Sequence, residues 1–173
     1  MPYHFEYADK AHLQTILPLC FQILHFNMEQ IAPTGNTHEE AYVMWYSEVF
    51  PAMQKEPRQM VLMYEADEVV GFFQYYVFRG AFMMEEIQIK PEHQGTGLFR
   101  ALYLWLFDRL EKEIDFVEAY SHRNNLKSQG ILEHLGLEPC VESKDGRCIY
   151  YKGTYADLVK ACAGGKTVFP TVG

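Results

Sequence analysis

The sequence predicts an α/β (α+β) fold, and three observations carry that expectation. Stretches of apolar–polar alternation recur along the chain between stretches of helical periodicity. Turn and capping residues separate them at spacings suited to hairpins and short loops. The chain has 173 residues, enough for one domain with one core. About seven strands and about four helices are expected, with hairpins making the sheet mostly antiparallel.

Residues 3–7 alternate and read as a first strand. Asp9 can cap a helix running to about residue 25, with Leu13, Ile16, Leu17, Cys20 and Leu24 on one side. Pro18 falls inside it, so a kink or a short first turn is expected there. Residues 27–36 are loop-like, with Pro33 and Gly35. Thr37 and Glu40 match a capping box, opening a second helix to about residue 50.

Three strands follow at 59–64, 69–78 and 82–90, separated by Ala66-Asp67 and by Gly80, which makes an antiparallel meander natural. A helix from about 98 to 112 is apolar on most sides and should be largely buried. A short buried strand is expected at 116–120, then a helix at 126–135 that ends at Gly136. A hairpin of strands 137–143 and 147–152 turns at Asp145-Gly146. Residues 1–162 are expected to form the domain, and the Gly-rich residues 163–173 a flexible tail. There is no internal repeat or linker.

Composition narrows the function. The hydrophobic share of 49% and the charged share of 22% are ordinary for a globular protein. No apolar run approaches the roughly 20 residues a membrane helix needs, and the first residues lack the basic start and apolar stretch of a signal peptide. A net charge of −8 disfavours nucleic acid and anionic membranes, and it favours cationic small molecules if it does more than keep the protein soluble. Cys20, Cys140, Cys148 and Cys162 form no CxxC pair. A two-residue turn at 145–146 sets Cys148 opposite Ser143 and Cys140 opposite Tyr151, so these two should not be bridged, and a reducing cytoplasm fits. The seven histidines show no HExxH or other paired ligand spacing, so no metal is expected. Gly165-Lys166-Thr167 resembles the end of a P-loop, but Lys160 stands where the required Gly should be. Glu111, Lys112 and Glu113 read as a solvated helix end.

The most informative stretch is 87–107, IQIKPEHQGTGLFRALYLWLF. Alternation at Ile87 and Ile89 leads through Pro91-Glu92 to Gln94-Gly95-Thr96-Gly97 and then directly into the apolar helix. A glycine turn that opens a helix presents free backbone N–H groups at the positive end of the helix dipole, which binds phosphate without a basic side chain. The chemistry implied is capture of a pyrophosphate-bearing cofactor beside a strand end.

The same residues resemble the GNAT superfamily of acyl-CoA-dependent N-acetyltransferases. That family's hallmark, Q/R-x-x-G-x-G/A, is matched here by Gln94-Gly95-Thr96-Gly97-Leu98-Phe99 after a strand and Pro-Glu-His. A second signature, an Asn followed by a helix and a Gly-apolar end, is matched by Asn125-Leu126-Lys127-Ser128 and by Leu135-Gly136-Leu137. The resemblance runs from the first strand to the hairpin at Tyr151. It implies a mixed, splayed central sheet with acetyl-CoA wedged between the fourth and fifth strands. Ile87, Gln88 and Ile89 would lie along the pantetheine arm, the backbones of Ile87 and Ile89 pairing with it. Amides of Gly95, Thr96, Gly97, Leu98 and Phe99 would hold the pyrophosphate, Gln94 would lie at the cofactor beside them, and Asn125 would contact the cofactor from the other side. The acceptor would be shaped by residues 26–36 and by the face bearing Tyr42, Trp45 and Tyr46, although their spacing equally suits plain core packing.

The reaction so implied is attack of an amine on a thioester. An alkylammonium has a pKa of about 10.4, so only about one molecule in 2,500 is neutral at pH 7 and a base is useful. Glu85 and Glu86 resemble the acidic pair that polyamine and related acetyltransferases carry beside the thioester. Strand alternation puts them on opposite faces unless a bulge intervenes, so at most one should reach the acceptor directly, and the choice between them stays open. A backbone N–H near Ile87 could stabilise the oxyanion. Two positions depart from the family. Phe99 replaces the usual Gly or Ala, so its side chain should point away from the phosphates. Leu132 stands where many members carry the Tyr that protonates the departing thiolate. The acid would then be Tyr150, Tyr151, His134, Ser128 or a water. The expectation is an acetyl-CoA-dependent N-acetyltransferase acting on a small cationic amine through a ternary complex, with a homodimer left open. The alternatives are a catalytically inactive acyl-CoA-binding module and a partner-binding domain that reuses the fold.

Overall fold

The computed structural model describes residues 3–55, 57–110 and 112–164. The expected tail, apart from its first two residues, lies outside them, as do Glu111 and the Gly165-Lys166-Thr167 run. The elements in chain order are β1 (Tyr3–Tyr7), a 3-10 turn (Lys10–His12), α1 (Leu13–Glu29), α2 (His38–Met53), β2 (Gln59–Glu65), β3 (Glu68–Phe78) and β4 (Ala81–Ile89). A second 3-10 turn (Pro91–His93) follows, then α3 (Leu98–Phe107), β5 (Phe116–His122), α4 (Leu126–His134), β6 (Glu138–Glu142), β7 (Cys148–Thr154) and α5 (Tyr155–Ala163). The seven strands form one sheet in the order β1-β2-β3-β4-β5-β7-β6, with β4 and β5 parallel. This is the α/β fold the sequence predicts, with five α-helices among the described residues rather than about four. The extra one, α5, is N-capped by Thr154, whose hydroxyl accepts from the Asp157 N–H at 3.1 Å.

One compact unit comprises the described residues up to Tyr75 together with Glu86–His93. Its core is built from α1, whose Leu13, Leu17, Cys20, Phe21 and Leu24 recur at helical spacing and meet Met53, Met60, Leu62 and Phe72. Burying each such side chain contributes roughly 1.5–3 kcal/mol. Pro18 is accommodated inside α1, which runs unbroken through it, and a separate 3-10 turn precedes the helix, where the Ala11 N–H donates to Asp9 Oδ1 at 2.9 Å. The helix also continues past residue 25, so Asn27 lies in its last turn rather than in a loop. The capping box of α2 forms as expected. The Glu40 N–H donates to Thr37 Oγ1 at 3.2 Å, and the Thr37 N–H donates to Glu40 Oε2 at 3.1 Å.

The other unit comprises Tyr76–Glu85 and the described residues from Gln94 onward. The β3–β4 turn lies in it, with Arg79 (φ 50°) and Gly80 (φ 78°) both left-handed, as a tight hairpin turn requires. On α3, Leu98, Leu102, Tyr103 and Leu106 are buried. The helix stops at Phe107, short of the expected residue 112, where its run of buried positions has ended. α4 closes in a Schellman motif: Gly136 (φ 92°) donates to the Glu133 carbonyl and Leu137 to the Leu132 carbonyl, both at 3.0 Å.

The terminal hairpin corrects one expectation. Pro139 pairs with Tyr151 and Val141 with Tyr150, so Cys140 is the extra residue of a bulge rather than the partner of Tyr151. The Ser143 N–H donates to the Cys148 carbonyl at 2.8 Å, as expected of facing residues, and all four cysteines are free thiols.

Candidate active site

The glycine turn lies in the second unit. Gly95 (φ 75°) and Gly97 (φ 86°) are both left-handed, and Gly97 is the N-cap of α3. It makes no side-chain capping bond, and the first turn of α3 that follows it lies at the positive end of the helix dipole. A Cβ built at Gly97 would meet nothing within 4 Å. Gly95, Thr96 and Gly97 are exposed, whereas Leu98 is buried and anchors the turn from beneath. Phe99 is half-buried.

Asn125 belongs to the same unit and is the N-cap of α4, its Oδ1 accepting from the Ser128 N–H at 3.0 Å. That bond uses the carbonyl end of its side chain and leaves the NH2 end as its donor. Two residues on, the ammonium of Lys127 bonds the side-chain carbonyl of Gln94. Burial holds the Lys127 ammonium below its ordinary pKa. Lys127 falls within the second sequence motif but was assigned no role from it. Its position in the first turn of a helix whose cap, Asn125, is an expected cofactor contact was the available signal.

The strand segment lies in the first unit. The Lys90 N–H donates to the Val70 carbonyl at 2.9 Å, and a Cβ at Gly71 would stand 2.8 Å from the Gln88 carbonyl oxygen. The backbones of Gln88 and Lys90 therefore face β3, and those of Ile87 and Ile89 face the opposite edge. On that edge Asn27 Nδ2 already donates to the Ile89 carbonyl at 3.0 Å. The same Nδ2 donates to Gln88 Oε1 at 2.9 Å, and Gln88 Nε2 donates to Glu86 Oε1 at 3.1 Å. Glu85 and Glu86 are both half-buried. Burial along β4 falls on Phe82 and Met84 and then on Ile89, so a single alternation does not run the length of the strand. The β4–β5 ladder in the second unit holds four pairs and ends at Met84–Ala119. The lead-in residue His93 is pinned by Tyr3, whose hydroxyl lies 2.8 Å from its Nδ1, and by Glu65 at 3.5 Å from its Nε2.

Leu132 is buried, 7% exposed. Of the acids named in its place, Tyr151 is buried at 1% exposure and His134 is exposed. The phenol of Tyr150 is pushed up by burial and by its hydrogen bond to Glu118. Ser128 lies one turn before Leu132 on the same face of α4. The rings of Tyr42, Trp45 and Tyr46 pack against the core of the first unit, as the bland reading of their spacing had it. An open recess of about 540 Å³ lies at the start of α2, lined by Asn36, Glu39, Glu40, Val43 and Met44. Among the described residues no group of three or more His, Cys, Asp or Glu could hold a metal ion, and no helix is long and apolar enough to cross a membrane.

A parallel pair that ends after four rungs and an uncapped glycine turn at a helix start stand in the fold of a chain whose family match makes it an acyltransferase that draws its acyl group from acetyl-CoA. The chain belongs to the acetyltransferase (GNAT) family, whose model matches residues 21–137. The fold is shared with the PaiA N-acetyltransferase of Thermoplasma acidophilum, solved in complex with coenzyme A, at 15% identity and a TM-score of 0.72 over 90% of this chain and 100% of that one. It is shared also with an acetyltransferase of Thermus thermophilus, at 14% identity and a TM-score of 0.67 over 89% and 97%. A third is the ribosomal-protein-S18-alanine N-acetyltransferase of Escherichia coli, at 20% identity and a TM-score of 0.60 over 88% and 93%. A search of curated proteins found no match.

Proposed function

We propose that the chain transfers the acetyl group of acetyl-CoA to the primary amine of a small cation, by direct attack within a ternary complex. The observation that carries this reading is the open turn at Gly97, left-handed, uncapped and with free space where a side chain would stand. The amides of residues 95–99 hold the pyrophosphate, and Gln94 and Asn125 line the same site. Ile87, Gln88 and Ile89 run beside the pantetheine arm, with Ile87 supplying the freer backbone because the Ile89 carbonyl is engaged by Asn27.

Glu86 is the base in this reading, because Gln88 donates a hydrogen bond to its carboxylate. Glu85, its neighbour, helps to draw the ammonium. The bound ammonium gives one proton to Glu86, which releases it to solvent; the neutral amine's lone pair then attacks the thioester carbon, the C–S bond breaks, CoA leaves as thiolate, and the remaining excess amine proton passes to Glu86. With Leu132 in place of a phenol, the thiolate takes its proton from water or Ser128. An alkyl thiol ionises near about 8.5, so a thiolate is a tolerable leaving group close to neutrality and the missing phenol is a modest loss. The net charge of −8 suits a cationic acceptor.

The test is to incubate the protein with acetyl-CoA and a panel of amines, including polyamines and a peptide with a free N-terminus, and to follow release of the CoA thiol. Turnover with small cations and not with the peptide supports the reading. The reverse would move the acceptor to protein N-termini. CoA binding with no thiol release from any amine would identify a binding module instead.

A further inference from the structure

We propose that Asn27 and Gln88 are positioning residues for Glu86, so that a hydrogen-bonded chain from the last turn of α1 to β4 holds the carboxylate that takes the acceptor's proton. This rests on the reading of Glu86 as the base. Asn27 Nδ2 donates to Gln88 Oε1 at 2.9 Å and to the Ile89 carbonyl at 3.0 Å, and Gln88 Nε2 donates to Glu86 Oε1 at 3.1 Å.

The direction of this chain is fixed at both ends. A carboxylate and a backbone carbonyl can only accept, so Asn27 must turn its NH2 toward Ile89 and Gln88 must turn its NH2 toward Glu86. Each amide is then locked, because flipping either sets two acceptors against each other. Asn27, Glu86 and Gln88 are all half-buried, where a hydrogen bond to a charged group is stronger than in open water. One NH2 group on α1 fixes both the backbone of β4 at Ile89 and the amide of Gln88, so strand and carboxylate are set from a single point. Neither amide can serve as a general acid or base near neutrality. Their effect on the reaction runs through Glu86.

Two measurements test this. In the free protein, 15N-edited NMR should show a Gln88 side-chain amide proton shifted downfield, returning to the ordinary position in Glu86→Ala. In steady-state assays with acetyl-CoA and spermidine, Gln88→Met and Asn27→Leu should each lower kcat about tenfold, the size of a lost hydrogen bond to a charged group, with the loss falling on kcat more than on KM for acetyl-CoA. In a Glu86→Gln background neither should lower kcat further. Should Asn27→Leu fail to fold, Gln88→Met decides. An unshifted Gln88 amide overturns the proposal, and so does an equal loss from Gln88→Met in both backgrounds. If Glu86→Gln loses kcat while Gln88→Met and Asn27→Leu keep it, the positioning role alone fails. If Glu86→Gln keeps kcat, Glu86 is not the base and the positioning role falls with it.

Discussion

The ammonium of Lys127 bonds the side-chain carbonyl of Gln94, and that single bond ties the first turn of α4 to the residue that opens the glycine turn. Burial disfavours the charged form of Lys127, so its pKa is lowered from 10.5. A lowered amine destabilises the fold fully below its folded pKa, and the penalty fades as pH rises through the window up to the unfolded value. Lys127→Met should therefore have a Tm at pH 7 no lower than wild type, with the difference shrinking as pH approaches that unfolded value. Affinity for CoA should fall about fivefold, as expected for one partly exposed cation near a phosphate, and less so at high salt. Thermal melts across pH and calorimetric titration with CoA check both halves.

Gly97 separates space from conformation. There is room for a Cβ, yet φ of 86° is strained for any other residue by about 1 kcal/mol. Gly97→Ala should lower Tm by a few degrees and weaken CoA binding. Gly97→Asp should abolish binding through bulk and like charge. Normal CoA affinity in Gly97→Asp, measured by titration, would mean the pyrophosphate lies elsewhere.

Gly71 is constrained by space instead. A Cβ there would lie 2.8 Å from the backbone oxygen of Gln88 and 3.0 Å from Met63 Sδ. The backbone cannot yield as a side chain does, so Gly71→Ala should cost about 1–3 kcal/mol in denaturant unfolding. Any displacement passes to Gln88, so kcat should also fall.

The four thiols should react in a fixed order. Burial pushes Cys20 and Cys162 up to about 12, and Cys140 is exposed on its bulge. Iodoacetamide at pH 8 should label Cys140 first and leave Cys20 and Cys162 unmodified until the chain is unfolded, because only the thiolate reacts. Peptide mapping by mass spectrometry reads the order.

Local chemistry was legible in the sequence wherever one short motif determines a structure. Thr37 and Glu40 announced α2, Gly136 closed α4, and Gln94 to Phe99 marked the turn because left-handed glycines before an apolar helix have few other uses. The missed helix α5 also carried its signal: Thr154 and Asp157 have capping spacing, and Leu158 and Cys162 lie one turn apart on its buried face. The bulge at Cys140 had no such mark, since the extra residue is decided by the register of two strands on a third. The Asn27–Gln88–Glu86 chain was hidden for a similar reason. Asn27 and Gln88 are 61 positions apart, and nothing local to either shows that they meet.

An anion cradle made of main-chain nitrogen asks little of side chains, because every residue but proline owns the donor. Its demand falls on handedness at a couple of glycines. In the proposed reading, substitution over the rest of the turn, the phenylalanine at 99 included, would leave those donors in place. Two chains that agree at only 15% of their positions can still share one backbone shape.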